Sequence, residues 1–560
     1  TIGICNDETS SACLFKNGEL LAAVSEERFT RVKMDKSFPL KSIKFLLKKF
    51  NRGLNDINIA YSWAKGFDPE LIEYYLNRFL ICNDVSQKNV FLEKIKFDKI
   101  RDEKGRKIFN EWFHQNCKNC HLTTVYHHEA HAASCSLLSD FDNGICLTVD
   151  GVGDFESLGV WRFDRKNILH PLQRIYSSTS SDSLGYFYGR IAGLLGFTPM
   201  RHEGKVTGLA AHGDPNKALN LMREMIIFKD GILKSNLGDL YKPYFKPYSK
   251  KLIERISEFK KEDIAAAAQK HLEEILTNLI IYIIEKNNIK KTNLMCAGGV
   301  FSNVKLTQKL KEIPNINNIF VQPQMGDGGL CLGAAAISQH REGLEIKPMR
   351  NVFLGPDIDL KEFINKYGTD TSLKIKKIKD LKNIICNDLN NNLVIGLVRG
   401  KMEFGPRSLC HRSIICRTSN SEINSIINKR LGRNEFMPFA PVMREEVAEK
   451  ELINFNKDDI TLEYMTSTIN CSKNFSIKSP AVVHIDETAR PQIIKKNKDK
   501  FMWELLYTWE KVSSELSLVN TSFNSHEEPI ICYPDEAINA LKKNIVDVIF
   551  IEDYRIVSKA

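Results

Sequence analysis

Short apolar runs broken by polar turns open the chain. Ile2 to Cys5, Ala12 to Lys16 and Glu19 to Ser25 read as strands, and Asn17-Gly18 joins the last two. Asn-Gly supplies the positive φ angles that a type I′ hairpin turn requires. A second hairpin is predicted where Gly144 to Asp150 passes through Gly151-Val152-Gly153 into Ser157 to Phe163. Helical spacing follows at Leu40 to Lys49, Pro69 to Leu80 and Asp263 to Lys286, the last with an apolar face through Ile264, Leu272, Ile275, Leu279 and Ile283. A strand, Asn293 to Ala297, then meets Gly298-Gly299. Between Glu342 and Asp359 the pattern lapses into Gly, Pro and charged residues, and a new mixed α/β unit begins near Leu360. The boundary falls at about residue 350, dividing the chain into 1–350 and 351–560. No internal repeat stands out in the sequence.

The 560 residues, 43% apolar and 26% charged, exclude both a single small module and global disorder. The apolar stretch Leu279 to Ile284 is far short of the roughly 20 residues of a membrane span, and charged residues flank it. Thr1 to Ser10 has neither a basic region nor an apolar core of a signal peptide, so a cytoplasmic protein without a membrane partner is expected. The 14 cysteines are scattered singly and read as reduced thiols. Cys117, Cys120 and His121 spell the C-x-x-C-H haem motif, but such attachment needs export, so the motif is read as a chance loop pattern. The net charge of +10 comes from lysines spread along the whole chain. No nucleic-acid partner is therefore expected.

Candidate chemistry begins at His127-His128-Glu129-Ala130-His131, where His127 and His131 share one helix face and could ligate one metal. Asp150 and Asp327, each beside a Gly-rich turn, are the candidates to complete the set. A hydrogen-bonded surface pair of histidines is the alternative. Gly204-Lys205-Val206-Thr207-Gly208 and Gly298-Gly299 lack the Walker and Rossmann patterns, and each alone reads as a tight turn. Together they let backbone approach a phosphate or ribose, with Lys205 supplying charge. In the C-terminal half, Arg407, Arg412, Arg433 and Arg490 either converge on phosphate as bidentate forks or stand in separate surface loops.

In order along the chain, Ser-Glu-Glu-Arg-Phe-Thr-Arg at 25–31, the His127/His131 element, Val149-Asp150-Gly151 and Lys205-Val206-Thr207-Gly208-Leu209-Ala210 are followed by Ala297-Gly298-Gly299-Val300 and Gly326-Asp327-Gly328. Glu403-Phe404-Gly405-Pro406-Arg407, Thr488-Ala489-Arg490-Pro491 and Asn520-Thr521-Ser522-Phe523-Asn524 complete the series. This succession resembles the NodU/CmcH/TobZ family of O-carbamoyltransferases over nearly the whole chain. The resemblance implies an α/β protein with an actin-like (ASKHA) N-terminal domain, 1–350, and a YrdC-like α/β C-terminal domain, 351–560. It implies that ATP and carbamoyl phosphate form a carbamoyl adenylate in the C-terminal domain, at Arg407, Arg433, Arg490, Ser522 and Asn524. The N-terminal domain then transfers the carbamoyl group to a hydroxyl of a small molecule or glycan. There, Glu203, Lys205, Gly208, Gly298, Gly299 and Asn303 match nucleotide-binding positions, and His127, His131, Asp150 and Asp327 match ligands of a divalent transition metal, iron in the family. ATP with Mg is the co-substrate, and a homodimer is an assembly compatible with the resemblance.

Three departures mark this chain. Glu8 and Thr9 stand where the family has a His-Asp pair that deprotonates the acceptor, so Glu8 is the candidate base. Leu431-Gly432-Arg433-Asn434-Glu435-Phe436-Met437-Pro438-Phe439 has lost one Lys and one Arg of the carbamoyl phosphate pocket, so either Lys429 and Arg430 substitute or the acyl donor differs. His526-Glu527-Glu528 replaces Arg-Gly-Glu. Two alternatives to a carbamoyltransferase follow: an ATP-dependent ligase with another acyl donor, and a non-catalytic nucleotide-binding regulator.

Overall fold

The computed structural model describes residues 1–62, 66–432 and 439–559. The chain forms two compact units. One holds Thr1–Glu26 and Lys36–Arg350, the other Glu27–Asp35 and Asn351–Ala560.

The first unit is built on two five-stranded sheets. In one, β1 (Ile2–Cys5), β2 (Ser11–Lys16), β3 (Glu19–Ser25), β4 (Ile59–Ser62) and β5 (Leu122–Val125) lie in the order β3-β2-β1-β4-β5. The three predicted opening strands are all present. The second sheet uses β6 (Asn143–Gly153), β7 (Glu156–Asp164) and β8 (Leu172–Thr179). A separate ribbon of β9 (Ile226–Lys229) and β10 (Ile232–Ser235) follows, before β11 (Thr292–Ala297) and β12 (Ile316–Val321) complete the second sheet. Its order is β12-β11-β6-β7-β8. Read from β8, that is again third, second, first, fourth, fifth. In both sheets the first three strands are antiparallel, and the fourth and fifth run parallel to the first. The unit is therefore a topological duplication, the actin-like architecture, although no repeat is legible in the residues.

Two helices, His127–Ser136 and Leu330–Arg341, pack on each other, the first against β6 and β11 and the second against β1, β2 and β4. Glycine permits the close approach: a Cβ on Gly333 would lie 1.8 Å from the Ala130 carbonyl oxygen. The predicted helix at 263–286 spans Lys261–Lys286. The second hairpin turns later than expected, at Asp154-Phe155, where φ is +49° and +71°. A helix absent from the sequence reading, Val85–Asn116, buries Lys94, Asp98, Asp102 and Gly105 along one side. Charge on that side leaves no apolar stripe to find.

The second unit carries an eight-stranded mixed sheet. Its strands are β13 (Leu373–Lys377), β14 (Ile395–Val398), β15 (Arg412–Arg417) and β16 (Ala440–Arg444), then, beyond a ribbon of β17 (Ile469–Asn470) and β18 (Thr488–Ala489), β19 (Gln492–Ile494), β20 (Leu518–Ser522), β21 (Val548–Ile551) and β22 (Tyr554–Ser558). They are ordered β13-β22-β21-β14-β15-β20-β16-β19. Alternation along β14 sends Ile395 and Leu397 into a core with Trp509, and Val398 into another with Phe523. No helix among the described residues is long and apolar enough to cross a membrane. All fourteen cysteines are free thiols. Cys117, the first of the haem-like motif, is buried behind the end of the 85–116 helix, and burial pushes its thiol up to about 12.

Candidate functional sites

The His127–Ser136 helix starts directly after β5 and places His127 and His131 one turn apart. Asp150 reaches them from β6 and Asp327 from the turn after β12. One ligand atom from each of the four lies within 4.8 Å of all the others. His131 Nε2 is 3.0 Å from Asp150 Oδ2 and 3.7 Å from Asp327 Oδ1, while His127 Nε2 is 3.9 and 3.8 Å from the same oxygens. Burial opposes charge on His131, but its bonds to Asp150 and Asp327 outweigh that and hold its pKa up to about 9. Burial likewise opposes charge on Asp150, and the two histidines outweigh it, keeping this carboxyl well below its usual range. His128 is different: its ring nitrogens meet Thr148 Oγ1 at 2.8 Å and the Glu156 carbonyl at 3.2 Å, and burial holds it neutral. Both ring nitrogens of His127 are buried without a hydrogen bond. Buried polar atoms ordinarily find partners, and two imidazoles with two carboxylates converging on such an orphan fit a divalent cation.

The neighbouring turns are shaped around these residues. A Cβ on Gly153 would fall 2.0 Å from the His127 ring. The Gly298-Gly299 turn after β11 donates Gly299 N–H to Asp150 Oδ2 at 3.0 Å, and Gly298 needs to be glycine twice over, for its φ of +104° and because a Cβ there would meet the Val149 carbonyl at 2.2 Å. Of the other nucleotide candidates, Asn303 caps the Val304–Lys311 helix through Leu306 N–H and donates to Gln269 Oε1 at 2.7 Å. Tyr188 Oη donates to the same Gln269 oxygen and lies 2.9 Å from Thr207 Oγ1. This links Asn303 to the Glu203–Ala210 helix, which carries Glu203, Lys205 and Gly208. Burial raises the Glu203 carboxyl, and side-chain space beside Gly204 and Gly208 is open.

Glu8 is ion-paired to Lys36. Burial raises its carboxyl, and the Lys36 ammonium limits the rise. Its neighbour Asp7, which the sequence reading missed, sits with Oδ2 3.8 Å from His127 Nδ1. Burial, then the Asp327 charge, push Asp7 well above the usual carboxylate range. From the 85–116 helix, Arg101 donates to Asp102 at 2.9 Å and to the Val152 carbonyl at 3.1 Å, tying that helix to the hairpin that carries Asp150.

In the second unit, burial lowers the Arg407 guanidinium to about 10, and burial plus the Arg407 charge lower Arg490 well below its ordinary value. A buried cation lowered further by a second cation is a place where an anion is favoured. Arg407 stands on a loop fastened by Glu403, whose Oε1 accepts from the N–H groups of Leu409, His411 and Arg412 at 2.7, 2.9 and 3.2 Å. Asn524 donates to the Ser525 and Glu528 carbonyls, and its buried Oδ1 has no hydrogen bond. Ser522 ends β20. Arg412 does not join them: its guanidinium donates to the carbonyls of Cys532, Arg399, Gly400, His411 and Pro356. Arg430 lies 2.9 Å from Asp547. Arg433 and Met437 lie outside the described residues.

Residues 2–336 match the carbamoyltransferase N-terminus and residues 386–558 the carbamoyltransferase C-terminus. An uncharacterized protein of Methanocaldococcus jannaschii is 33% identical over 99% of both chains. Nodulation protein NolNO of Sinorhizobium fredii is 30% identical over 98% of this chain and 78% of its own. Among solved structures, T. kodakarensis HypF is similar at a TM-score of 0.39 and 14% identity, over 61% of this chain and 48% of its own. With both halves matched and relatives aligned along almost its full length, the chain belongs to the carbamoyltransferase family and is a carbamoyltransferase enzyme.

Proposed function

We propose that this carbamoyltransferase uses ATP and carbamoyl phosphate to place a carbamoyl group on a hydroxyl of a small molecule or glycan, through a carbamoyl adenylate. The observation that carries the reading is that the Arg490 guanidinium is lowered by burial and by the Arg407 charge near it, in a unit that also holds Asn524 and is separate from the His127, His131, Asp150, Asp327 set. Atoms balance if carbamoyl phosphate loses its phosphate to water and the carbamate oxygen attacks the α-phosphorus of ATP, expelling pyrophosphate. Arg407 and Arg490 would hold the anionic groups, with Ser522 and Asn524 hydrogen-bonding the carbamoyl end. In the other unit the acceptor oxygen attacks the carbamoyl carbon, AMP leaves, and the hydroxyl proton passes to a carboxylate, Glu8 by its position after β1. Gly298, Gly299, Asn303, Glu203, Lys205 and Gly208 would receive the nucleotide. His127, His131, Asp150 and Asp327 would hold the metal, iron by the preference of mixed imidazole and carboxylate sets. When bound, it would neutralise phosphate oxygens.

The test is pyrophosphate release from purified protein supplied with ATP, with and without carbamoyl phosphate and with no acceptor. Release that depends on carbamoyl phosphate is expected. Release with another carboxylate instead would establish the ligase alternative, which the engagement of Arg430 by Asp547 favours. No release with any acyl donor would overturn the adenylate reading.

A further inference from the structure

Residues 25–31 match the family pattern, yet none of them lies in either group of site side chains. The run crosses from one unit to the other: β3 ends at Ser25 in the first, and Glu27–Asp35 belongs to the second. We propose that Arg28 is a positioning residue for the C-terminal anion site, clamping together the loop that carries Arg407 and the loop that follows Asn524. This rests on the reading of Arg407 and Arg490 as the phosphate-holding pair.

Arg28 is 4% exposed, and its guanidinium makes one bond to each loop: Nη2 donates to the Gly405 carbonyl at 3.0 Å and Nη1 to the Ile530 carbonyl at 3.3 Å. Gly405 has φ +148°, a conformation that L side chains rarely adopt. Pro406 follows, with φ fixed near −65° by its ring. Once the Gly405 carbonyl is pinned, little backbone freedom remains before Arg407. The far end of this loop is already held by Glu403. On the second loop, Ile531 N–H donates to the Phe523 carbonyl at 2.9 Å, and Asn524 donates to the Glu528 carbonyl at 2.9 Å. The Ile530 carbonyl that Arg28 grips therefore lies within the turn that closes over Asn524.

The segment has separate anchors. Phe29 packs against Met402, Ile530 and Cys532. Arg31 donates to the Ile530 and Pro529 carbonyls at 2.9 and 2.7 Å and lies 3.4 Å from the Glu536 carboxylate, all on the side of the second loop. Docking and positioning can thus be told apart. A lysine keeps the charge of Arg28 but lacks the planar fork that spans two carbonyls.

The experiment measures carbamoyl phosphate-dependent pyrophosphate release by the full chain and its Arg28→Ala, Arg28→Lys, Arg31→Ala and Arg407→Ala variants. Both Arg28 variants should raise KM for carbamoyl phosphate about tenfold or more while kcat changes less. Arg31→Ala should stay within about twofold. Hydrogen exchange of peptides over 403–410 should quicken in Arg28→Lys and stay unchanged over the Lys500–Ser513 helix of the same unit, which shows that the fold persists. Wild-type KM in Arg28→Lys, or equal damage in Arg31→Ala, overturns the positioning role. Normal release by Arg407→Ala overturns the phosphate reading on which the inference rests, a result distinct from failure of Arg28 alone.

Discussion

Lys94 and Asp98 form an ion pair at 2.5 Å with no exposed side-chain surface, the ammonium lying 4.6 Å over the Tyr186 ring. Burial lowers the Lys94 pKa from 10.5 to about 8, against the opposing pull of Asp98. At pH 7 the protonated side chain therefore carries about 3 kcal/mol that an unfolded lysine does not. Because the folded pKa lies below the unfolded one, the unfolded chain binds more protons between pH 8 and 10.5, and this cost fades as pH rises through that window. Replacing the pair by Lys94→Met with Asp98→Leu should leave stability equal or higher at pH 7, as apolar replacement of buried ion pairs commonly does. Asp98→Leu alone should destabilise by about 3 to 5 kcal/mol, since it leaves the ammonium without its carboxylate.

The assay is urea unfolding with hydrogen exchange of peptides from 85–116, for wild type and the double variant at pH 7 and 9.5. Taking the difference between the two proteins cancels the tyrosines and cysteines that titrate in the same range. The wild type should gain about 2 kcal/mol on the double variant between the two pH values. A pH-independent difference would refute the reasoning. Stability gives no ground for retaining this pair, and the same helix reaches the Asp150 hairpin through Arg101. The double variant should accordingly lose transfer to acceptor while releasing pyrophosphate normally.

His131→Ala and Asp327→Asn should each reduce bound metal from about one equivalent to near zero by elemental analysis, and Gly153→Ala should do the same by displacing the His127 ring; full metal content in all three would remove the site. Glu8→Gln should slow transfer by about a hundredfold with pyrophosphate release intact. In Lys36→Met, burial acts on Glu8 without the ammonium that limits it, so its carboxyl rises further and the acid limb of the transfer rate should move to higher pH; an unmoved limb would mean that Glu8 does not govern it.

The opening hairpin was legible because Asn17-Gly18 dictates its turn, and the 261–286 helix because its apolar residues keep helical spacing. His127 and His131 were legible by their interval alone, and Asp150 and Asp327 by the glycines beside them. Periodicity could not find the 85–116 helix, whose buried side carries Lys94, Asp98 and Asp102, nor show that Arg412 spends its guanidinium on backbone carbonyls. The excursion of residues 27–35 into the second unit was also invisible, because the partners of Arg28 and Arg31 are backbone carbonyls 377 to 502 residues away in the sequence. Asp7 was passed over for Glu8 because alignment to a family position weighed more than the direction in which each side chain points.

The duplicated topology shows what Asp7 shares with Asp150. β1 and β6 are the equivalent first strands of their sheets, and each leads to one of these carboxylates. His127 lies between them, with Nδ1 3.8 Å from Asp7 and Nε2 3.9 Å from Asp150. The two carboxyls are pushed in opposite directions: Asp7 up, by burial and by Asp327, and Asp150 down, by the two histidines despite burial. A neutral imidazole has a single N–H. If His127 Nε2 is given to a cation, that proton sits on Nδ1 and faces Asp7, the kind of partner that fixes a ligand's tautomer and raises its basicity. Asp7→Asn preserves the shape of the side chain and removes its carboxyl group, and should weaken metal binding by about 10- to 100-fold in a competition with a coloured chelator. Unchanged affinity would separate Asp7 from the metal ligands and leave it, with Glu8, to the acceptor.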